Sequence, residues 1–251
     1  VVGGHPGTTT DQYVSVMEQA TSMLIPLISI VIGYAAITRE RESGTLKLIL
    51  SLPHTREDMM FGKVFGRSGV VGVSIILGFV VAAILLLATS LQFKIVDYLL
   101  FAFLTLLLAL VFVGLSVGIS GAVKTSRRAM VVSIAFYLVF LVLWNGLANA
   151  VTRGVAKYVG LGYPGKVQTI LFIRLLNPMT AYKTLVNGLI LSSQFNARVI
   201  MFGILSRQGV AHVLGKPLPF YLSDAAVMIY LLFWLLVPVA IGYSVFSRAD
   251  L

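Results

Sequence analysis

Long uncharged apolar runs alternate with short charged connections along this chain, and that alternation predicts most of its architecture. The runs fall at about 19–38, 68–93, 98–123, 129–152 and 225–247. Each reaches the ~20 residues that a helix needs to cross ~30 Å of hydrocarbon. Lipid offers a backbone no outside hydrogen-bond partners, so runs of this length predict helices. The expected fold is an all-α membrane protein, a polytopic helix bundle with five spans, and residues 1–251 form a single transmembrane domain. Two other segments stand out. Residues 39–67 are the longest stretch rich in charge of both signs, whereas 153–224 hold uncharged runs, 184–197 and 199–206, too short to cross. With breaks at Asn177-Pro178 and Lys216–Pro219, the latter segment predicts a lid of short interfacial or re-entrant helices.

Lys and Arg set the orientation. With 39–67 inside, Lys124, Arg127, Arg128 and Arg248 share that side, while the short connection 91–98 opposite holds only Lys94. This places 39–67 and the C-terminus in the cytoplasm and 153–224 outside, since long loops translocate largely regardless of charge. The chain opens Val-Val-Gly-Gly, and its first residues are polar and Gly/Thr-rich like the tail of a loop. A preceding helix is expected, which would make six.

Inside 39–67, Leu46, Ile49 and Leu50 recur at i, i+3 and i+4, with Leu48 and Leu52 flanking, which predicts an amphipathic helix of about two turns. Pro53 should stop it. Thr55, followed by Glu57 and Asp58, has the pattern of an N-cap with acids in the first turn, opening a helix that runs through Met59 and Phe61 into the second span. Pro26 and Gly33 in the first span mark either a hinge or ordinary membrane-helix proline. Gly66, Gly69, Gly72 and Gly78 in the second span, and Gly114 and Gly118 in the third, are candidate packing faces for another helix or another copy.

Composition confirms the solvent and narrows the chemistry. With 58% hydrophobic and 11% charged residues and a mean hydropathy of +0.96, the chain is far from the ~25% charged residues of soluble domains. The net charge of +10 sits at the edges of apolar runs and not in a basic block interleaved with exposed aromatics, so it reads as topology-setting and not as a nucleic-acid surface. No cysteine is present, which excludes disulfides and thiol chemistry. His5, His54 and His212 form no zinc motif, and a site joining His5 and His212 to Met179 or Met201 is less plausible than scattered surface residues. Gly160 to Lys166 matches G-x-x-x-x-G-K, but Val167 replaces the metal-binding Ser or Thr and no strand precedes it, so no nucleotide site is read there. No ionisable residue lies inside the five runs, which leaves no proton relay and no third member for a catalytic triad. Trp144, Asn145 and Asn149 are left either to line a path or to bond across helices.

Glu40 and Glu42 ahead of Gly44-Thr45-Leu46, the apolar turn ending Leu50-Ser51-Leu52-Pro53, then Arg56 and Gly62-Lys63, resemble the signature of ABC-2 type transporter permeases. The resemblance covers about thirty residues closely and the rest through the spacing of spans, and is nearest to the prokaryotic export permeases of the nitrous-oxide-reductase maturation type. It implies six helices with this segment as a coupling helix. It also implies a homodimer of permeases in the plasma membrane driven by two separate ATPase subunits, with ATP and Mg on those partners and no cofactor or metal on this chain. Glu40, Glu42 and Arg56 would then pair with the ATPase rim, and Leu46, Ile49 and Leu50 would fill its groove, with Gly44, Thr45 and Pro53 shaping the turn. The external segment is longer than the family's usual pair of half-helices. The function expected is export of a small or apolar substrate, and the surrounding membrane lipid is the other partner. A self-contained channel or facilitator, or a membrane scaffold for an assembly complex, are the alternatives, though a simple pore has no need for an amphipathic helix with a capped successor.

Overall fold

The structure is a computed structural model, and it describes residues 9–46, 55–88, 94–191, 194–202, 207–214 and 218–248. Among these residues the chain is helical with no strand. Helices α1 (Thr9–Gly33) and α2 (Thr38–Glu42) are followed by the long α3 (Arg56–Leu87) and α4 (Ile95–Ala122). A π-helical turn, Val139–Leu143, joins α5 (Ser126–Leu138) to α6 (Trp144–Val159). Four shorter helices come next: α7 (Tyr163–Leu175), α8 (Pro178–Val186), α9 (Gln194–Ile200) and α10 (Arg207–Leu214). The last is α11 (Asp224–Ser247). Among the described residues, five stretches are long and apolar enough to cross a membrane: Val16–Glu42, Arg56–Leu87, Ile95–Ala122, Ser126–Val159 and Asp224–Ser247.

Helix α4 is the axis of the bundle. Leu104, Leu108, Phe112, Val113 and Val117 along it are fully buried, and α1, α3 and α11 pack around it. Its closest neighbour is α11, where Gly118 meets the backbone of Pro238 and Gly242 so tightly that a Cβ on Gly118 would stand 2.2 Å from the Pro238 carbonyl oxygen. Removing side chains lets the two backbones touch, which is how membrane helices gain contact area without a hydrophobic driving force. The packing face expected from Gly114 and Gly118 is therefore used within the chain. Those expected from Gly66, Gly69 and Gly78 on α3 are open, with no atom of another residue near where a Cβ would project.

The segment after α6 departs from the expected lid. The Asn177-Pro178 break is the cap of α8, with Asn177 Oδ1 accepting from Met179 N at 2.9 Å. However, Met179, Ala181, Tyr182, Leu185 and Val186 are all buried, so α8 enters the bundle and does not cover its mouth. Its one polar side, Thr180 and Lys183, is only part-exposed and faces α1, where Lys183 meets Gln19. Both tryptophans hold the end of α7 beside it. Trp144 Nε1 donates to Ile173 O at 2.8 Å and Trp234 Nε1 to Leu176 O at 2.7 Å, satisfying carbonyls that a helix end leaves without partners. The π turn is matched in the same way, since the Phe140 carbonyl accepts from Asn177 Nδ2 at 2.7 Å.

Candidate functional site

The charged stretch that opens after the first span builds a polar junction at one end of the bundle. Helical bonding breaks after Gly33, past Pro26, and the chain turns through 34–37 before α2 begins. A break inside an apolar bundle frees backbone N–H groups. Two of them, Ile37 N and Thr38 N, donate to Ser120 Oγ on α4 at 3.1 and 3.2 Å. Thr38 is buried, and its hydroxyl accepts from Ser126 Oγ at 3.0 Å. Gly44, at φ 76°, then ends α2 in the left-handed conformation that favours glycine.

Three of the four charged side chains of α2 reach different elements, and the fourth, Arg39, is exposed. Glu40 forms an ion pair with Lys63 on α3. Arg41 Nη1 donates to Val123 O, just beyond α4, at 3.2 Å. Glu42 accepts from Ser126 N at 2.9 Å and Ser126 Oγ at 2.5 Å, placing a carboxylate on the N-terminus of α5, where the helix dipole favours it. On α3, Thr55 and Asp58 form a reciprocal capping box: Asp58 N donates to Thr55 Oγ1 at 3.1 Å and Thr55 N to Asp58 Oδ2 at 3.0 Å. Arg56 reaches the far end of the chain, donating to Phe246 O at 2.7 Å and Ser247 O at 3.0 Å. The guanidinium carbons of Arg41 and Arg56 lie 5.9 and 5.6 Å from the centre of the buried Phe246 ring. One short helix is thus tied to α3, α4 and α5, and Phe246 links it to α11.

This geometry changes the roles expected of several residues. Leu46 is 2% exposed and sits in a buried cluster with Ile37, Met59, Met60, Val113 and Phe246, so it anchors the loop in the chain's own core and presents nothing to a partner's groove. Glu40, Glu42 and Arg56 are spent on contacts within the chain and are not pointing from it unpaired. Gly44 and Thr45 are exposed, as is Ser43 beside them. Ile49, Leu50 and Pro53, with the amphipathic helix expected around them, lie outside the described residues.

The chain matches the ABC-2 family transporter protein family over residues 6–251. It belongs to that family. It is 26% identical over 245 residues to "Probable ABC transporter permease protein NosY" of Stutzerimonas stutzeri, which covers 96% of this chain and 82% of that protein. It is also 29% identical over 143 residues to the protein of the same name from Pseudomonas aeruginosa, covering 55% of this chain and 52% of that one. The chain is therefore a multi-pass membrane permease subunit of an ABC transporter, and the subgroup suggested by its motifs is the one its relatives carry.

In this ABC-2 permease, the residues considered for a path do not converge. Asn145 and Asn149 on α6 are both exposed, while Trp144 turns inward to Ile173. Four residues apart, the two asparagines share one exposed flank of α6, next to the buried stripe of Ala148 and Thr152. A different polar group lies inside. Glu18 is 7% exposed within the first span and accepts from Asn187 Nδ2 at 2.8 Å, and Lys183 Nζ donates to Gln19 Oε1 at 2.8 Å. Burial pushes Lys183 below the ordinary lysine range, with Glu18 partly opposing. Burial likewise raises the Tyr182 phenol, whose hydroxyl meets Thr105 Oγ1 at 3.1 Å. The expectation that no ionisable group lies inside a span is thus corrected at Glu18. The uncharged run starts one residue later, at Gln19, but the helix does not, and an acid bordering an apolar run was the available signal. Ser120 and Ser126 left no comparable mark.

Proposed function

We propose that this permease receives the motion of a separate ATPase subunit at the α2 end and passes it to its membrane helices, exporting a small or apolar substrate as one of two permease copies. ATP and Mg belong to the partner ATPase in this reading. The observation that carries it is the junction itself: a five-residue helix whose Glu40, Arg41 and Glu42 each engage a different element. A push on α2 is shared at once by α3, α4 and α5, and a packed junction of this kind shifts as a body more readily than it deforms. Arg39, Arg41, Arg56, Lys63, Arg127, Arg128 and Arg248 all belong to this end, which supports a cytoplasmic placement and so a cytoplasmic C-terminus. Contact with the motor falls to exposed Ser43, Gly44 and Thr45 and to the segment with Ile49, Leu50 and Pro53. Glu40, Glu42 and Arg56 form the root behind it.

Glu42→Lys tests the assignment, because it removes the acceptor for Ser126 and sets a cation on the α5 N-terminus. The expected result is an ATPase that still co-purifies, with ATP hydrolysis by the reconstituted complex lowered about tenfold toward that of the isolated motor. Hydrolysis at the wild-type rate in that variant, with the motor bound, would sink the reading.

A further inference from the structure

No Asp or Glu stands between Asp97 and Asp224, so the cations of that interval have no acid within it. Three of them converge. Gly160, at φ 69°, closes α6 in the left-handed region, and α7 begins at Tyr163 after Gly162. The turn folds α7 back along α6 and brings Lys166, in the first turns of α7, beside Arg153 and Lys157, which are one turn apart on α6. With Thr152 and Ala156 they line a pocket of about 270 Å³. The G-x-x-x-x-G-K run that resembles a nucleotide loop thus serves to place its lysine.

Thr152 makes the pocket more than a basic surface. It is 7% exposed, and its Oγ1 has no hydrogen-bond partner. Elsewhere in this chain a buried helical threonine bonds back to the preceding turn, as Thr105 Oγ1 does to Phe101 O at 2.8 Å and Thr184 Oγ1 to Thr180 O at 2.7 Å. Thr152 does not, and an unpaired buried hydroxyl is costly. A ligand with acceptor oxygens would satisfy it and the three cations together. The pocket lies at the end of the Ser126–Val159 span, among exposed Val151, Val155, Tyr158, Val159 and Tyr163. Tyrosines and basic residues at a helix end occupy the headgroup layer of a bilayer.

We propose that this pocket binds a phosphate group, with Arg153, Lys157 and Lys166 pairing its charge and Thr152 Oγ1 donating to one of its oxygens. In the membrane the phosphate is that of an anionic phospholipid headgroup, whose acyl chains run along the exposed apolar face of α6. Arginine and lysine both bind phosphate, the first as a fork and the second as a point charge.

The test uses the full-length protein in nanodiscs of equal phosphatidylglycerol and phosphatidylcholine, with retained lipid counted by native mass spectrometry. A parallel arm titrates inorganic phosphate into detergent-solubilised protein and follows the phosphorus resonance. Wild type should retain phosphatidylglycerol preferentially. Lys157→Gln with Lys166→Gln should lower that retention about tenfold, Thr152→Val a few-fold, and the paired Lys→Arg changes should preserve it. All of these lysines are exposed, so melting temperature is expected to stay unchanged in the lysine variants. Phosphate binding without lipid preference, lost in the Gln pair, assigns the same site to free phosphate. Equal behaviour of wild type and the Gln pair in both arms overturns the proposal.

Discussion

The two ends of the bundle handle charge in opposite ways. At the α2 end, acids and bases from distant parts of the chain are paired into one junction: Glu40 with Lys63, Glu42 with Ser126, Arg56 with the carbonyls of 246 and 247. At the other end, apart from the part-exposed Lys94–Asp97 pair, charge is sealed inside or left without an acid. Arg198 is fully buried, donating to Asp224 Oδ1 at 2.7 Å and Leu222 O at 2.8 Å, while Arg153, Lys157 and Lys166 face a pocket with no carboxylate in its lining. A network of part-exposed pairs contributes little stability per pair but fixes geometry across helices. A single buried pair adds little net stability when intact, because desolvation offsets its attraction, but removing one partner costs much by stranding the other charge. The first arrangement suits a part that transmits displacement, the second a part that holds still.

Substitutions can break or sharpen that contrast. Arg198→Met should have the largest effect, about 3–5 kcal/mol, because it strands Asp224 beside Gly188 and leaves the Leu222 carbonyl unmet. Thermal unfolding in detergent reads it, and a neutral outcome would remove the still end from the account. Gly118→Leu should cost about 2–3 kcal/mol, since the added side chain would run into the Pro238 backbone, which cannot move aside. Thr55→Ala should cost about 1 kcal/mol through the lost cap, with the larger change expected in coupling and not in melting. Gly69→Leu should be the smallest, within about 0.5 kcal/mol, because nothing faces it. A large loss there would place α3 against a partner.

The glycines show what a sequence of this kind discloses. Gly114 and Gly118 on α4 and Gly66 and Gly69 on α3 give the same signal, yet the most apolar stretch of α4 is 72% buried and that of α3 is 11% buried. Lipid and protein core are equally apolar, so hydrophobic periodicity, which separates inside from outside in water, does not separate them here. The number of spans was legible because length and charge alone decide it. The Thr55–Asp58 cap was legible because its partners are three residues apart. The partners of Glu42 and Arg56 were not, since Ser126 and Phe246 lie far along the chain and only the fold brings them near. Leu46 misled for a related reason: an amphipathic repeat states that one face is buried, and is silent on whether the cover is a partner or the chain itself.

The central claim is that α2 and its root move as one body with the helices they join. The chain has no cysteine, so introduced thiols are unambiguous. Ser43 and Arg127 are both exposed and flank the Glu42–Ser126 contact. In the Glu42→Lys background, joining Ser43→Cys to Arg127→Cys with a short bismaleimide replaces the lost tie covalently. The account predicts that crosslinking restores ATP hydrolysis by the reconstituted complex to the wild-type level. Hydrolysis that stays at the uncoupled rate after complete crosslinking, with the ATPase still bound, would contradict it.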